Sequence, residues 1–323
     1  RYGRLHAPLC MGLKDRRDQM RIENVSIVGM GALGVLFGDM LARALGPERV
    51  GFVADAARRS RYAQTPVTVN GRPCAFRTID PADPSGPDDL VIFAVKGPAL
   101  ERAMADAAGR IGPDTALISL LNGISSEREL EARFGAHNVV YCVAQGMDAV
   151  KLGGALTYST AGQLCLGAPT PEKRPALDAV CELFDRAGVP YVREADILHR
   201  IWGKFMLNVG VNQTVMVCEG TYGTIQVPGA PRERMISAMR EVMALAALEG
   251  VPLGEDDLNF YLGLLDRLDP DAMPSMRQDG LARRPSEVEL FSGTVRALAK
   301  KHGLSTPVND ALYAEIRARE AAY

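Results

Sequence analysis

A glycine-rich loop near the start of the chain limits the folds that this sequence can adopt more than any other feature. It reads Gly29-Met30-Gly31-Ala32-Leu33-Gly34 and directly follows the β-branched run from Asn24 to Val28. The spacing of apolar residues from Val35 to Leu45 predicts a helix immediately after it. In such a unit the first glycine permits a tight turn, the second lets the backbone approach a pyrophosphate, and the third lets helix and strand pack closely. The loop therefore indicates a Rossmann-like unit that binds a dinucleotide at the helix N-terminus.

The type of dinucleotide depends on the residues after the second predicted strand, Arg49 to Val53. An acidic residue about 20 positions beyond the glycines usually binds the ribose 2′-hydroxyl of NAD, and Asp55 stands there. Arg58, Arg59 and Arg61 follow, and guanidinium groups bind phosphates such as the 2′-phosphate of NADP. The three arginines also fit an ordinary solvated charge cluster, so this loop leaves the choice between NAD and NADP open.

Two further runs, Asp89 to Lys96 and Thr115 to Leu121, have the continuous apolar character of buried parallel strands. Lys96 ends the first run, and Asn122 follows the second. Ligands of open α/β sheets lie at the carboxyl ends of strands, so both residues are candidates for contact with the cofactor. Asn122 precedes Gly123 and, taken alone, fits a simple turn former equally well.

The sequence pattern changes from mixed to purely helical near residue 195. Before that point, Asn138 to Gly167 predicts two or three strands in an antiparallel hairpin that closes the sheet, and Pro171 to Ala187 predicts a helix. Helical periodicity then continues through the segments 196–217, 231–249, 255–268, 285–302 and 307–321. The predicted fold is α/β, with an N-terminal Rossmann-like dinucleotide-binding domain over residues 21–194 and an all-helical C-terminal domain over residues 195–323. Residues 1–20 are predicted to be a disordered extension, because they carry many arginines and no sustained apolar core.

The first predicted helix of the C-terminal half carries a polar stripe on a largely apolar segment, Ile201 to Val217. Lys204, Asn208 and Asn212 are spaced four residues apart, which places them along one side of a helix. An ammonium and two amides in a protein interior cost several kcal/mol unless they find partners. One interpretation is that they bond to neighbouring carbonyl groups and specify helix packing. We favour the other, in which the stripe forms a wall of a polar cleft that faces the cofactor.

Two loops in the helical half present further candidates. Ser275 lies between two methionines in a proline-broken segment, Met273-Pro274-Ser275-Met276. Farther on, Ser286 and Glu289 have the spacing of a capping box that would open a helix. Glu287, in the first turn of that helix, is explained by the helix dipole alone if it has no role in a site.

Composition narrows the class of protein. The chain has 47% hydrophobic and 24% charged residues, which is typical of a soluble globular protein. A formal net charge of −2 gives no reason to expect nucleic acid or an anionic membrane as a partner. No apolar run reaches the roughly 18 residues of a membrane span. The six cysteines are scattered, without a CxxC pair, and predict reduced thiols in a cytoplasmic protein and no metal site.

Taken in chain order, the motifs point to a family. They are GMGALG, the strand-end Lys96, LLNGI around Asn122, K-x3-N-x3-N from Lys204, PSMRQD and RPSEVELFSG. This ordered set resembles the ketopantoate reductases (2-dehydropantoate 2-reductases) and spans nearly the whole chain from Met20. The resemblance implies an NADPH-dependent reduction of the small 2-oxo acid 2-dehydropantoate to (R)-pantoate, in pantothenate and coenzyme A biosynthesis. It also allows a homodimer.

The resemblance further implies a role for each matched residue. For the cofactor these are Gly29, Met30, Gly31, Ala32, Leu33, Gly34, Lys96, Asn122, Ala149 and Glu287, and for the substrate they are Lys204, Asn208, Asn212 and Ser275. Asp55 is a further candidate for the cofactor because of its place after the second predicted strand. Lys204 would be the catalytic proton donor, because hydride delivery to a ketone builds negative charge on oxygen that a nearby ammonium stabilises and protonates.

Two positions depart from the family pattern. Asp55 replaces an arginine that meets the 2′-phosphate, and Tyr222 replaces a substrate-binding asparagine. The arginines after Asp55 favour NADP, while Asp55 itself keeps NAD open. Two alternatives follow: an NAD(P)-dependent reductase of a different 2-oxo acid on the same fold, and a non-catalytic protein that senses dinucleotide. A sensor, however, has no need of a proton donor such as Lys204.

Overall fold

The computed structural model describes residues 20–323, so the predicted extension lies, apart from Met20, outside the described residues. The described chain divides into two compact units. The first comprises the residues up to Leu121 together with Ser125–Ile197, and the second comprises Asn122–Ile124 and Leu198–Tyr323. The second unit thus begins a few residues later than predicted, and it includes a three-residue segment from the first half of the chain.

The first unit alternates strands and helices as its apolar periodicity predicts. Its strands are β1 (Val25–Val28), β2 (Val50–Val53), β3 (Val67–Val69), β4 (Arg72–Cys74), β5 (Arg77–Ile79), β6 (Leu90–Phe93), β7 (Ala116–Ser119), β8 (Val139–Met147), β9 (Val150–Leu152), β10 (Ala155–Thr157), β11 (Ala161–Gly167) and β12 (Tyr191–Arg193). Its helices are α1 (Ala32–Leu45), α2 (Ala56–Gln64), α3 (Leu100–Ala107), α4 (Ser126–Phe134) and α5 (Arg174–Ala187).

The strands form two sheets. The main sheet has eight strands in the order β12-β11-β8-β7-β6-β1-β2-β5, and the run from β8 to β5 is parallel throughout. All four residues of β1, β2, β6 and β7 are buried, as expected for a parallel sheet covered on both faces. The α/β fold with a Rossmann-like first unit is therefore confirmed.

The segment from Asn138 to Gly167 differs from the prediction of two or three strands. β8 and β11 do form an antiparallel pair in the main sheet. Between them, β9 and β10 form an extra hairpin that joins β3 and β4 in a separate four-stranded sheet. Asp148 closes the base of this hairpin, because its Oδ1 accepts the backbone N–H groups of Ser159 and Thr160 at 3.0 and 2.8 Å.

The second unit is helical, as predicted. Its helices are α6 (Ile197–Cys218), α7 (Gly223–Gln226), α8 (Ala230–Leu248), α9 (Glu255–Leu265), α10 (Ser275–Leu281), α11 (Thr294–His302) and α12 (Pro307–Glu320). They enclose an apolar core that includes Trp202, Phe205, Met239 and Phe291. Within residues 20–323, no helix combines the length and the apolar character needed to cross a membrane.

The predicted helix over 285–302 is only partly correct. A π-helical turn over Glu289–Gly293 leads into α11, and the residues before it form a loop. The expected capping box is absent, because the Ser286 N–H donates to Glu320 at 2.7 Å and the Glu289 carboxylate instead accepts from the Tyr313 hydroxyl at 2.6 Å. Long-range partners therefore replace the capping box, and the Ser286 hydroxyl oxygen keeps one local contact, the Val288 N–H at 3.3 Å.

Candidate functional site

The glycine loop joins β1 to α1 and is constrained by the surrounding backbone at two of its three glycines. Gly29 has a φ of 108°, and a Cβ there would lie 2.6 Å from the carbonyl oxygen of Ala94. A Cβ on Gly34 would overlap the carbonyl oxygen of Gly29. The close packing of helix on strand thus requires glycine at both positions.

Gly31 is different, since the protein itself leaves room for a side chain there. A Cβ on Gly31 would stay 3.7 Å from its nearest neighbour, the Ala94 carbonyl oxygen, and the residue is exposed. Gly31 is also the N-cap of α1 and, having no side chain, leaves the first N–H groups of the helix without a side-chain cap. The open space therefore lies at a helix N-terminus, where backbone N–H groups attract anions. These residues fit the pyrophosphate of a dinucleotide, which would account for the glycine that the fold does not demand.

Asp55 caps α2 and is paired with Arg58. Its carboxylate accepts the Arg58 backbone N–H at 2.8 Å and the Arg58 side-chain Nε at 3.1 Å. The hydrogen bond from the Arg58 backbone, together with that from its side chain, holds the pKa of the Asp55 carboxyl below its usual value. Arg58 also donates to Asp106 at 2.8 Å, and Arg102 donates to Asp106 at the same distance. Asp55 and Arg58 thus largely neutralise each other.

Arg59 and Arg61 extend from the same helix. Arg59 forms an ion pair with Asp80 and lines a hollow of about 250 Å³ together with Met30 and Tyr62. Its Nε is buried and has no hydrogen-bond partner among residues 20–323. The Arg61 guanidinium lies 5.8 Å from the centre of the Tyr62 ring. A residue of the glycine loop and an arginine of α2 therefore share one hollow in the first unit.

Lys96 and Ala149 also follow strand ends. Lys96 comes shortly after β6, is exposed, and directly precedes a 3₁₀ turn over Gly97–Ala99. Ala149 follows β8 and packs against the core of the first unit. Strands β1, β2, β6 and β8 run parallel, and each is followed at its C-terminal end by a candidate residue or loop. These are, in the same order, the glycine loop, Asp55, Lys96 and Ala149. This is the sheet edge at which α/β folds bind ligands.

In the second unit, Asn122 connects two of the predicted residues. The Lys204 ammonium donates to the side-chain oxygen of Asn122 at 3.0 Å, and the side-chain nitrogen of Asn122 donates to the Glu287 carboxylate at 3.0 Å. All three residues are half-buried. Asn122 is therefore more than a turn former, because it holds a cation on one side and an anion on the other.

Asn212 forms a second connection farther along α6. Its side-chain nitrogen donates to Asn208 at 3.3 Å, and its side-chain oxygen accepts from the Ser275 hydroxyl at 3.2 Å and from the Met276 N–H at 3.3 Å. Asn212 is 6% exposed, whereas Ser275 is exposed. The polar stripe of α6 thus holds the start of α10, a helix too short to be evident from periodicity.

Sequence reasoning missed two polar residues on α6. Gln213 and Thr214 are fully buried, at 0% exposure. The Gln213 side chain donates to the Val209 carbonyl at 2.8 Å and accepts the Ser292 N–H at 3.2 Å, so it belongs to the helical core. Their spacing from Asn212 separates them from the stripe, since neighbouring residues in a helix point in different directions.

Tyr222 lies between α6 and α7. Its N–H donates to the Ala272 carbonyl at 3.0 Å, which ties it to the loop that leads to Ser275. Its ring is partly buried against the core of the second unit, and burial raises the pKa of its hydroxyl. The residues from 20 to 323 contain no group of three or more metal-ligating side chains that could hold a metal ion.

Family models match most of the chain. The model described as "Ketopantoate reductase PanE/ApbA" matches residues 25–170, and the model of the C-terminal part of the same family matches residues 196–320. Among curated proteins, the chain is similar to the 2-dehydropantoate 2-reductase of Aquifex aeolicus, with 25% identity over 305 residues, covering 91% of this chain and 96% of that protein. The enzyme of that name from Vibrio cholerae is 23% identical over 303 residues, covering 93% and 99%.

Solved structures share the fold. A complex of D-mandelate dehydrogenase with NADH has a TM-score of 0.82 at 22% identity, covering 93% of this chain and 99% of that chain. A PanE/ApbA family ketopantoate reductase from Ralstonia eutropha has a TM-score of 0.78 at 24% identity, with the same coverage. A dimeric ketopantoate reductase from Staphylococcus aureus has a TM-score of 0.75 at 22% identity, again covering 93% and 99%.

Proposed function

The chain belongs to the ketopantoate reductase family, and we propose that it reduces 2-dehydropantoate to (R)-pantoate with NADPH, a step in pantothenate and coenzyme A biosynthesis. Its family and relatives make it an NAD(P)-dependent oxidoreductase. The observation that carries the proposal is the hydrogen bond from Lys204 to Asn122. It holds an ammonium on the same face of α6 as the two amides of Asn208 and Asn212.

Lys204 is the proposed proton donor. The bound nicotinamide supplies a hydride to the ketone carbon, and the negative charge that develops on the ketone oxygen needs a cation and a proton. An ammonium carries both. The half-buried position of Lys204 supports this role, because electrostatic interactions are stronger where water is partly excluded.

Asn208, Asn212 and Ser275 are the proposed substrate contacts. Ser275 is exposed, so its hydroxyl can turn from Asn212 to a ligand. The two asparagines offer amide donors and acceptors to a carboxylate and a hydroxyl group. Binding a 2-oxo acid at several such points would fix its carbonyl group relative to Lys204, which lowers the entropic part of the barrier.

The first unit is the proposed cofactor-binding unit, and NADPH is the proposed cofactor. The residues that would hold it are those of the glycine loop, with Lys96 and Ala149 at the same sheet edge. Two observations support NADPH over NADH: Arg58 neutralises the Asp55 carboxylate, and Arg59 lines a hollow beside Met30 with an unsatisfied donor. Asn122 and Glu287 are also proposed to contact the cofactor. We further propose a homodimer, because one of the structural neighbours is described as dimeric.

The test is a steady-state screen of 2-oxo acids with both NADPH and NADH. We expect 2-dehydropantoate with NADPH to give the highest kcat/KM. A purified protein that binds a reduced dinucleotide but turns over none of the oxo acids would support a dinucleotide sensor instead.

A second candidate function is reduction of a different 2-oxo acid. The observation that favours it is Tyr222, whose backbone is bonded to the loop leading to Ser275. A phenol ring suits an apolar or aromatic substituent better than the hydroxyl group of a pantoate-type substrate. In the same screen, an aryl 2-oxo acid that outperforms 2-dehydropantoate would identify this alternative.

A further inference from the structure

A hollow of about 390 Å³ in the second unit has no part in the proposed reaction, yet three arginines line it. We call it the anion hollow; its wall includes Met216, Glu219, Arg277, Arg283, Arg319 and Tyr323. It lies where α6 and α10 end, and its lining contains none of the residues assigned to substrate or dinucleotide. Sites for small molecules usually have volumes of about 300–1,000 Å³, so its size is adequate for a ligand.

The backbone around the anion hollow is strained at two charged residues. Within residues 20–323, three residues other than glycine have a left-handed backbone, and two of them line the hollow: Glu219 at a φ of 53° and Arg283 at a φ of 50°. Each closes a helix, at a position where glycine is the usual residue. Glu219 follows α6, and Arg283 follows α10. Residues held in such backbone conformations cluster at active sites and ligand-binding sites.

The arginines of the anion hollow are incompletely paired. Arg319 forms an ion pair with Glu219 at 2.8 Å, so the carboxylate among the lining side chains is already paired. Arg283 has no ion-pair partner in the described part of the chain, and the Nε of Arg277 is buried without a hydrogen-bond partner there. The lining includes three arginines and one glutamate, so its side chains carry two positive charges in excess.

Capping of helix α6 explains only part of this arrangement. Arginines stabilise helix C-termini by donating to the last carbonyl groups. Arg319 does so with the Val217 carbonyl at 2.7 Å, and Arg277 with the Glu219 carbonyl at 3.2 Å. Neither contact uses the Nε of Arg277, and Arg283 makes no such contact. Arg283 is exposed, so its guanidinium group is available to a ligand.

We propose that the anion hollow binds a small phosphate ester, with Arg277 and Arg283 as its phosphate ligands. Guanidinium groups match the oxygens of a phosphate in bidentate geometry, and a dianionic phosphate would balance the two excess charges. Met216 and Tyr323 form an apolar part of the wall that suits the organic portion of such a ligand. This site is independent of the dinucleotide and the oxo acid.

The test is calorimetric titration of the full chain in low-salt buffer free of phosphate, with glycerol 3-phosphate and inorganic phosphate as separate probes. We expect glycerol 3-phosphate to bind more tightly than inorganic phosphate. Arg277→Gln and Arg283→Gln should each weaken its binding by about tenfold or more, since each removes a charge-assisted contact. Arg267→Gln is the matched control, because Arg267 is an exposed arginine of the same unit outside the hollow. Its titration should match that of the wild type.

Arg283→Gly separates binding from folding. Glycine relieves the left-handed strain, so the thermal midpoint should stay constant or rise while the binding of glycerol 3-phosphate is lost. Equal binding by the wild type and by Arg283→Gly would overturn the site, as would no binding at millimolar ester. Tighter binding of inorganic phosphate than of the ester would overturn the assignment to an organic phosphate.

Discussion

Lys204 and Asn122 are 82 residues apart in the chain and are joined by a hydrogen bond of 3.0 Å from the ammonium group to the side-chain oxygen. The side-chain nitrogen of the same Asn122 is bonded to Glu287. The side-chain amide of Asn122 has an oxygen that accepts and a nitrogen that donates, so it can bind the Lys204 ammonium and the Glu287 carboxylate at the same time. This bridge positions the group to which we assign the proton transfer.

Replacing Lys204 by alanine should abolish most turnover. We expect kcat on the true substrate to fall by about 10²-fold or more, as is typical for loss of a general acid. Lys300→Ala, an exposed lysine of α11, serves as the control and should keep wild-type kcat. Near-normal kcat in Lys204→Ala would show that another group donates the proton.

Replacing Asn122 by leucine tests the bridge. Leucine has a similar size but neither donates nor accepts, so Lys204 would lose a fixed partner. We expect kcat to fall by about tenfold to a hundredfold, which is the range for misplacing a catalytic group. The pH profile of kcat should shift as well, since the ammonium loses a hydrogen bond. A lower kcat with an unchanged profile would indicate a purely structural effect.

Two alanine substitutions in the glycine loop should affect different properties, one the stability of the fold and the other the binding of the dinucleotide. Gly34→Ala should lower the free energy of unfolding by about 1–3 kcal/mol through overpacking, because its Cβ would overlap the Gly29 carbonyl. Gly31→Ala should leave the thermal midpoint nearly unchanged but weaken dinucleotide binding, because its Cβ enters open space at the helix N-terminus. Thermal unfolding and fluorescence titration of NADPH measure the two effects. Unchanged dinucleotide binding by Gly31→Ala would show that the pyrophosphate does not bind at this loop.

Arg59→Gln tests the choice of cofactor. If Arg59 holds the 2′-phosphate, the dissociation constant for NADPH should rise by about tenfold, and that for NADH should stay the same. Arg61→Gln is the matched control on the same helix. A lower dissociation constant for NADH than for NADPH in the wild-type protein would overturn the preference for NADPH.

Glu127 should make stability depend on pH. This carboxyl lies at the start of α4 and is 3% exposed, and burial raises its pKa from 4.5 to about 7. Between these two values the folded state holds a proton that the unfolded chain releases, so stability falls as the pH rises through this window. The loss amounts to roughly 3 kcal/mol for a single group. Glu127→Gln should flatten the decline in thermal midpoint from pH 5 to 8, and the exposed Glu129→Gln should not. Parallel profiles for Glu127→Gln and the wild type would refute the assignment.

Local patterns were enough to predict the parallel strands, the glycine loop and the helical second half. The helix predicted over 196–217 is observed over Ile197–Cys218, because polar residues recur every four positions in a long, largely apolar segment. The β9–β10 hairpin and α10 were not predicted, since strands of three residues and a helix of seven carry little periodic signal.

The pairings within the candidate site could not be predicted at all. The sequence identifies Asp55 as a candidate for the ribose of NAD and the arginines after it as candidates for the 2′-phosphate of NADP. It does not show that Arg58 joins Asp55 to Asp106. Likewise, the stripe on α6 identified Lys204 without identifying Asn122 as its partner. Such contacts depend on which distant segments the fold brings together, and one-dimensional patterns do not record that.

The grouping of residues 122–124 with the helical unit has a consequence for dissecting or recombining genes of this kind. A chimera or an expressed fragment divided near residue 197 would inherit α6 from one parent and the segment around Asn122 from the other. Lys204, the proposed proton donor, and its partner Asn122 would then come from sequences that had not evolved together. A segment that is to be exchanged between relatives therefore has to include both α6 and the stretch around Asn122, although some 80 residues of other sequence lie between Asn122 and Lys204.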